Sequence, residues 1–306
     1  MSLAGSSTPP PIVAVVGATA TGKSGLGVAL ARALGGEVVN ADSMQLYRGM
    51  DVGTAKLTLE ERQGVPHHVL DIWDVRRSAD VATYQHQARA VVDDLRARGL
   101  TPVVVGGSGL YVRALLDDLD FPGTDPDVRA ALEAELAAVG TAPLYERLRV
   151  SDPDAAAAIE PNNARRIVRA LEVVTLRGSF TARLPEPRAI EANTVTIGLD
   201  IPRDVLDQRI ADRVTRMWEA GLVDEVRRLA DEEGLREGRT ASRALGYAQI
   251  LRVLDGELTE AEAIDDTVRS TRRFARRQDS WFRRDKRTRW LAYDSGDLLA
   301  QALALI

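Results

Sequence analysis

The chain has 306 residues, of which 45% are hydrophobic and 28% charged, and its formal net charge at pH 7 is −5. This composition is ordinary for a globular protein that buries a sizeable core. The absence of cysteine excludes structural disulfides, thiolate catalysis and zinc–cysteine sites. No apolar run reaches the roughly 18 residues that a membrane-spanning helix needs, so we expect a soluble, cytoplasmic protein with no membrane partner.

The N-terminal part of the chain alternates short apolar runs with helical spacing. Residues 1–11 are small, polar and Pro-rich, lack the features of a signal peptide, and are predicted to be a flexible tail. Strands are predicted at residues 12–16, 37–41, 67–72 and 101–105, and helices at residues 25–34 and 84–98. This alternation predicts an α/β fold with a doubly wound parallel sheet, whose P-loop core spans residues 12–118.

The pattern changes after about Asp118. Residues 119–190 show helical segments and no strand, which predicts a helical insertion domain. Residues 194–200 alternate in polarity and return to the sheet, and residues 191–306 are otherwise predicted to be long helices. The predicted helices of the two parts are residues 125–138, 143–149, 154–159, 164–177, 204–220, 222–232, 244–255 and 259–284.

A phosphate-binding loop follows the first predicted strand. Its residues fit the pattern G-x-x-x-x-G-K-[ST], with a strand before it and a helix after it. Glycines let backbone N–H groups turn towards an anion, and the helix N-terminus adds a partial positive charge. The lysine supplies a full charge, and the final hydroxyl is suited to Mg²⁺. The residues are Gly17, Ala18, Thr19, Ala20, Thr21, Gly22, Lys23 and Ser24.

The pattern predicts phosphate binding but does not identify ATP. Many P-loop NTPases carry an acid at the end of a neighbouring apolar strand, where it holds Mg²⁺. The apolar strand at residues 101–105 ends in glycines instead, and the acid at a strand end is Asp42. Asp42 is therefore a candidate magnesium ligand, general base or helix cap, and its residue type does not decide between these roles.

The string at residues 40–56, NADSMQLYRGMDVGTAK, together with the P-loop closely resembles the tRNA dimethylallyltransferases, also called tRNA isopentenyltransferases. Ala18 and Ser108 stand where the family often has Pro and Thr. The zinc-finger extension of eukaryotic members is absent, so we expect a bacterial-type enzyme. The resemblance covers residues 12–289, with further ordered matches at residues 65–68, 106–111, 152–153, 161–163, 169–173, 209–226, 243–247 and 271–282.

The resemblance implies transfer of a dimethylallyl group from its diphosphate to N6 of adenosine 37, beside the anticodon of a tRNA. The P-loop would then bind a diphosphate, and Lys23, the loop amides and a Mg²⁺ on Ser24 would stabilise the leaving pyrophosphate. Asp42 matches the family's general base, and Arg213 matches an arginine that contacts the pyrophosphate. Without the resemblance, a surface ion pair would be the better interpretation of Arg213.

The resemblance also implies a tRNA partner, bound through its anticodon stem-loop by a protein that we expect to be a monomer. The target adenine is stacked in its loop, so it must be flipped out to react. The implied tRNA contacts are Asp42, Ser43, Met44, Gln45, Ser108, Arg165, Arg166, Arg169, Arg243, Gly246, Tyr247, Arg273, Arg277 and Gln278.

A basic segment at residues 269–289 contains ten Lys/Arg and two Asp, although the whole chain is acidic. On a helix its arginines share one broad face, while Phe274 and Trp281 lie beyond the edge of that face and are predicted to pack into the core. Acids at i±4 are nearly absent, so we expect a polyanion to neutralise this face. The arginines of the face are Arg269, Arg272, Arg273, Arg276, Arg277, Arg283, Arg284 and Arg287.

Other interpretations remain open from the residues alone. His67 and His68 are adjacent on a predicted strand and point to opposite faces, so we expect structural roles and not a metal site. A small-molecule P-loop kinase would share the core and the helical insertion but would consume ATP. A non-catalytic RNA-binding module would explain the basic segment but not a diphosphate-binding loop beside Asp42.

Overall fold

The computed structural model describes residues 9–182 and 184–306. Most of the predicted N-terminal tail, residues 1–8, lies outside the described residues. The chain divides into two compact units, one formed by Met1–Asp117 with Ala189–Ile306 and the other by Asp118–Arg188. No helix in the described ranges is long and apolar enough to cross a membrane.

The first unit is built on a six-stranded sheet whose strands all pair in parallel, which confirms the predicted α/β class. The strands are β1 (Ile12–Val16), β2 (Glu37–Asn40), β3 (His67–His68), β4 (Pro102–Gly106), β5 (Thr194–Asp200) and β6 (Thr288–Ala292). Their order is β3-β2-β4-β1-β5-β6. Every residue of β1 is buried, as expected for a central strand covered on both faces.

Helices cover the sheet and continue beyond it within the same unit. They are α1 (Lys23–Leu34), α2 (Val81–Ala97), α3 (Gly109–Leu116), α8 (Arg203–Glu219), α9 (Leu222–Glu232), α10 (Tyr247–Leu254), α11 (Glu260–Arg283) and α12 (Leu298–Leu303). Helix α1 lies close to β4 because Gly27 has no side chain, since a Cβ there would be 2.4 Å from Val105 Cγ2. Asp80 caps α2 by accepting from the N–H groups of Ala82 and Thr83, which typically stabilises a helix by about 1 kcal/mol.

The second unit contains α4 (Pro126–Val139), α5 (Thr141–Ser151), α6 (Pro153–Ala157) and α7 (Ala164–Arg177). Its own apolar core includes Leu144, Leu148 and Ile167, which are fully buried. Pro126 occupies the first turn of α4, where its missing N–H costs no hydrogen bond, and Asp125 caps that helix. This unit therefore has the independent core that a separate domain needs.

Two strands differ from the prediction in length or type. The third strand was predicted over residues 67–72 but pairs only at His67–His68, because Val69 and Asp71 have φ near +59° and +56° and leave the extended region. Strand β6 was predicted as part of a helix-only region. It is an edge strand that pairs with β5 alone, and its sequence, TRWLA, directly follows the basic segment and shows no apolar run.

Candidate functional site

The carboxyl ends of β1, β4 and β2 meet at one edge of the sheet, with β4 in the middle. Val16 pairs with Gly106, and Val105 pairs with Asn40. Because neighbouring strands are about 4.8 Å apart, the ends of β1 and β2 lie about 10 Å from one another. The P-loop after β1 and Asp42 after β2 therefore open towards the same space, which is where ligands bind in open α/β sheets.

The P-loop backbone has the conformation of an anion-binding loop. Gly17, Ala20 and Gly22 have φ of +134°, +65° and +102°, so the chain turns back on itself before α1 begins. The Thr21 hydroxyl donates to the Ala18 carbonyl at 3.0 Å and holds the turn from within. No side chain caps the N-terminus of α1, so its first N–H groups stay available to an anion.

Lys23 lies inside this turn, with its ammonium donating to the Ala18 carbonyl at 2.5 Å. Burial lowers the pKa of Lys23 to about 8, the charge of Asp42 opposes that shift, and Arg213 adds to it. Within the described residues, no carboxylate forms a salt bridge with Lys23. An enclosed cation without an ion pair is well suited to bind a phosphate oxygen.

Ser24 is the second residue of α1 and is half-buried beside Lys23. No group of three or more His, Asp or Glu able to hold a metal occurs in the described ranges. Mg²⁺ in phosphate sites usually takes one or two protein ligands, with the substrate and water filling the remaining positions. A single hydroxyl beside a phosphate-binding loop fits that mode. It does not fit a metal held by the protein alone.

Asp42 is oriented by the end of its own strand. Its N–H donates to Asn40 Oδ1 at 2.9 Å, and its Oδ1 accepts from the N–H of Met44 at 2.9 Å. Asn40 is 3% exposed and donates through Nδ2 to the carbonyls of Asp42 and Val69. One carboxylate oxygen of Asp42 is thus left for another partner, and sequence reasoning missed Asn40 as the residue that holds this turn.

Arg213 reaches the P-loop from α8. Its Nη1 is 3.4 Å from the Thr19 hydroxyl, to which it donates. Burial lowers the pKa of Arg213, whereas Asp42 opposes that shift. Lys23, Arg213 and Asp42 therefore lie within electrostatic range of one another, although they come from three separate parts of the chain. Arg209, one turn earlier, instead stacks on Tyr293 with 5.0 Å between the guanidinium carbon and the ring centroid.

Residues predicted to contact tRNA surround Asp42. The Ser43 N–H donates to Ser108 Oγ at 3.0 Å, and the two hydroxyls are 3.1 Å apart. Gln45 donates to the Thr54 carbonyl at 3.0 Å, and Met44 is half-buried. The structure thus places Ser43 and Ser108 in contact beside Asp42.

Some predicted tRNA contacts are corrected by burial. Tyr247 is fully buried, and its hydroxyl donates to Glu225 Oε1 at 2.6 Å; Gly246 is buried beside it. Gln278 is 6% exposed, and both ends of its amide are bonded to backbone groups of the protein. These three residues are therefore buried in the fold, whereas Arg243 is exposed.

The three predicted arginines of the helical unit differ from one another. Arg165 and Arg166 are exposed, and Arg166 donates to the Ala182 carbonyl. Arg169 is instead used inside the unit, where it donates to the carbonyls of Pro122 and Gly123 and pairs with Glu172. Arg129 also pairs with this buried glutamate, so Arg169 is a structural ion-pair partner rather than a free cation.

The predicted unbalanced arginine face of the basic segment is wrong in part. Helix α11 ends at Arg283, and five of the eight arginines meet carboxylates, several of them from distant elements. Arg273, Arg277 and Arg284 are exposed and form no salt bridge within the described part of the chain. The paired residues are Arg269 with Asp266, Arg272 and Arg276 with Asp207, Arg283 with Asp200 and Asp279, and Arg287 with Asp117 and Asp285.

The inner face of α11 also differs from the prediction. Phe274 and Trp281 are half-buried. The buried residues of α11 are Ala263, Thr267, Ala275, Gln278 and Phe282. Arg277 lies over the Phe274 ring at 5.7 Å, so Phe274 supports an exposed arginine instead of entering the core. A polar residue, Gln278, takes the central buried position.

His67 and His68 form hydrogen bonds on different sides of β3. His67 Nδ1 lies 2.9 Å from the Val65 carbonyl, and His68 Nε2 lies 2.5 Å from Glu37 Oε2. Burial lowers the pKa of His67. Each ring thus has its own protein partner, as the strand geometry predicts.

Glu225 is a second residue that sequence reasoning missed. Its carboxylate accepts from the N–H groups of Asp51, Val52 and Gly53 at 2.8–3.2 Å, as well as from the Tyr247 hydroxyl. It therefore holds the far end of the loop that carries Asp42. Glu225 lies in the first turn of α9 among other acids, so no local signal distinguishes it.

Comparison with known proteins agrees with this geometry. The IPP transferase family model matches residues 45–285. The chain is 64% identical over 301 residues to a tRNA dimethylallyltransferase of Thermobifida fusca, covering 96% of this chain and 94% of that protein. It is also 64% identical to one from Salinispora arenicola, covering 96% of this chain and 86% of that protein.

Solved structures of similar proteins share the fold. The tRNA isopentenylpyrophosphate transferase of Bacillus halodurans is 44% identical with a TM-score of 0.70, covering 96% of this chain and 93% of that one. A eukaryotic dimethylallyltransferase acting on tRNA is 26% identical with a TM-score of 0.78, covering 96% of this chain and 77% of that one. The P-loop, the acid after β2 and these relatives together establish that the chain belongs to the IPP transferase family.

Proposed function

We propose that this protein transfers a dimethylallyl group from dimethylallyl diphosphate to N6 of adenosine 37 in tRNA and releases pyrophosphate. The observation that carries the proposal is the meeting of Lys23, Arg213 and Asp42 at one edge of the sheet. Lys23 and Arg213 each donate to a group of the P-loop, and Asp42 lies within electrostatic range of both cations. The tRNA dimethylallyltransferases at 64% identity support the assignment of substrate and acceptor.

The diphosphate is the leaving group, so the P-loop acts on charge that builds up as the reaction proceeds. The bond between C1 of the dimethylallyl group and the diphosphate oxygen breaks, and its electron pair leaves with pyrophosphate. Lys23, the free N–H groups of α1 and Arg213 stabilise that charge in an enclosed site. Mg²⁺ held by Ser24 and the diphosphate would add a Lewis acid at the same oxygens when bound.

The nucleophile is the adenine N6 amine, whose lone pair is delocalised into the ring. As N6 bonds to C1, it must lose a proton. The free carboxylate oxygen of Asp42 accepts that proton and orients the amine. Ser43 and Ser108 lie beside Asp42 and are positioned to hydrogen-bond the flipped nucleotide.

Recognition of the anticodon stem-loop, monomeric state and location in the cytoplasm complete the proposal. The exposed arginines Arg165, Arg243, Arg273 and Arg277 support binding of a polyanion. Lys23, Asp42 and Arg213 all come from one chain, so the reaction needs no second copy. Light scattering of the purified protein tests the monomeric state. The mass of a dimer would contradict it.

The test is a transfer assay with labelled dimethylallyl diphosphate and a tRNA that carries adenosine beside its anticodon. We expect label in the tRNA and one pyrophosphate released for each group transferred. The matched control is the same tRNA with guanosine at that position, which lacks the N6 amine and should stay unlabelled. ATP consumption without transfer would instead indicate a kinase, and tRNA binding without either reaction would indicate a binding module.

A further inference from the structure

Gln278 joins two turns at the carboxyl edge of the sheet. Its Oε1 accepts from the Thr19 N–H of the P-loop at 2.9 Å, and its Nε2 donates to the Gly107 carbonyl after β4 at 2.8 Å. The side chain is 6% exposed and lies on the inner face of α11. One buried amide therefore spans the space between the P-loop and the neighbouring turn.

The turn after β4 is shaped to receive this part of α11. A Cβ on Gly107 would lie 2.4 Å from Gln278 Nε2, and a Cβ on Gly109 would lie 2.2 Å from Trp281 Nε1. Both glycines are needed because the two side chains of α11 pack directly on the backbone. The close approach fixes where the Gln278 amide can sit.

The path continues from Gly107 to the proposed base. Ser108 follows Gly107 and accepts from the Ser43 N–H at 3.0 Å, and Ser43 is the residue after Asp42. On the other side, the hydroxyl of Thr19 accepts from Arg213. Gln278 thus lies at the centre of a chain of hydrogen bonds that leads from Arg213 and the P-loop to the Asp42 turn.

We propose that Gln278 is a positioning residue that sets the alignment of the diphosphate site with Asp42 and makes no contact with RNA. The inference rests on the proposed function, because it concerns the diphosphate site and Asp42, which act on the leaving group and on the nucleophile, at opposite sides of the reacting carbon. Reacting atoms must approach to about 3–3.5 Å, and a displacement of about 1 Å can cost about a hundredfold in rate. A buried amide that bonds both turns is placed to prevent such a displacement.

The first test is Gln278→Met, which keeps the length of the side chain and removes both hydrogen bonds. We expect kcat to fall by about tenfold to a hundredfold, with KM and Kd for tRNA within about twofold of wild type. Pyrophosphate affinity should fall by about fivefold because the P-loop is less preorganised. The control is Ser280→Ala at an exposed position of the same helix, which should leave kcat, pyrophosphate affinity and tRNA affinity within about twofold of wild type.

The second test is Gln278→Glu, which compares two protonation states of the same folded variant. A protonated carboxyl group can accept from Thr19 and donate to Gly107, as the amide does, whereas a carboxylate cannot donate. Burial favours the protonated form at reduced pH. We expect the ratio of variant to wild-type kcat to rise as pH falls, and a flat ratio would show that the bond to Gly107 does not matter.

The results separate this inference from the proposed function. Pyrophosphate binding requires no transfer, so it reports on Gln278 even if the wild-type protein modifies no tRNA. Wild-type pyrophosphate affinity and kcat in Gln278→Met would overturn the inference. Weakened tRNA binding with unchanged kcat would overturn it too, because that pattern belongs to a residue that contacts RNA.

Discussion

Positive charge occurs both along α11 and at the carboxyl edge of the sheet beside the P-loop, which is called the P-loop edge below. The two regions differ in whether carboxylates pair with their cations. Lys23 and Arg213 are half-buried, and neither forms a salt bridge in the described parts of the chain, so their charges are uncompensated apart from the nearby charge of Asp42. Along α11 and just after it, carboxylates pair with five of the eight arginines of the basic face, and four of those five have a partner on another element. Uncompensated charge in an enclosed site is costly and is typical of functional sites, whereas paired surface charge is ordinary.

A count of basic residues is therefore a poor guide to an anion site. The basic segment at residues 269–289 retains four exposed arginines without a carboxylate partner among the residues described, namely Arg273, Arg277, Arg284 and Arg289. The P-loop contributes one lysine, yet burial lowers the pKa of that lysine and no carboxylate among the described residues forms a salt bridge with it. We therefore expect substitutions at the P-loop edge to have much larger effects than substitutions on α11.

The largest effect is expected for Asp42→Ala. Loss of the proposed base should lower turnover by about a hundredfold to ten-thousandfold, with tRNA affinity nearly unchanged. Asp42→Asn is the matched control, since it keeps an acceptor for the Met44 N–H but is a poor base, and it should be similarly slow. Single-turnover kinetics and a tRNA-binding assay make the measurement, and lost affinity with normal turnover would contradict the assignment.

The next effect concerns Lys23 and pH. Because burial lowers the pKa of Lys23 to about 8, the free protein loses this charge as pH rises through about 8. The protonated form binds the anion, so pyrophosphate affinity should fall by up to about tenfold per pH unit above that point. Calorimetric titrations between pH 7 and about pH 9.5 would measure it.

Two variants isolate the lysine. Lys23→Met should bind weakly at every pH and reduce turnover by about a hundredfold, as loss of one such donor typically does. Lys23→Arg keeps its charge throughout this range, so its affinity should not fall with pH in the same way. If Lys23→Arg showed the wild-type pH dependence, another group would be responsible.

Glu225→Ala should have an intermediate effect, on stability first. It removes the acceptor for three backbone N–H groups and the Tyr247 hydroxyl, so the free energy of unfolding should fall by about 2–4 kcal/mol. Glu219→Ala, at an exposed position of α8, is the control and should change it by less than about 0.5 kcal/mol. Denaturant unfolding compares the two, and equal stabilities would show that the loop does not depend on Glu225.

The smallest effect is expected on α11. Arg273→Ala should weaken tRNA binding by a few-fold and reduce the slope of log affinity against log salt by about 1. Arg236→Ala, which removes an arginine paired with Asp255, should leave that slope unchanged. Equal slopes for the two variants would mean that pairing within the fold does not decide which arginines meet RNA.

Several elements could be predicted because their signals are local. Helices α7 and α9 and strand β5 have the predicted bounds, since each carries a regular apolar period and clear ends. Helix α10 begins three residues later than predicted, at Tyr247, because Gly246 has φ of +88° and interrupts the helix. Helix α3 was not predicted, because its glycine-rich start also fits a turn.

By itself, the sequence determined the phosphate loop and the acid after the second strand, because a strand, a glycine turn and a helix in immediate succession are a local pattern. Only the tertiary structure decided what surrounds them. It brings Arg213 and Gln278 to Thr19 across more than 190 residues of chain, and it supplies Asp207, Asp200 and Asp117 to the arginines of the basic segment. Helical spacing identifies neighbours along one helix, but partners on other elements are set by packing, which no single segment encodes.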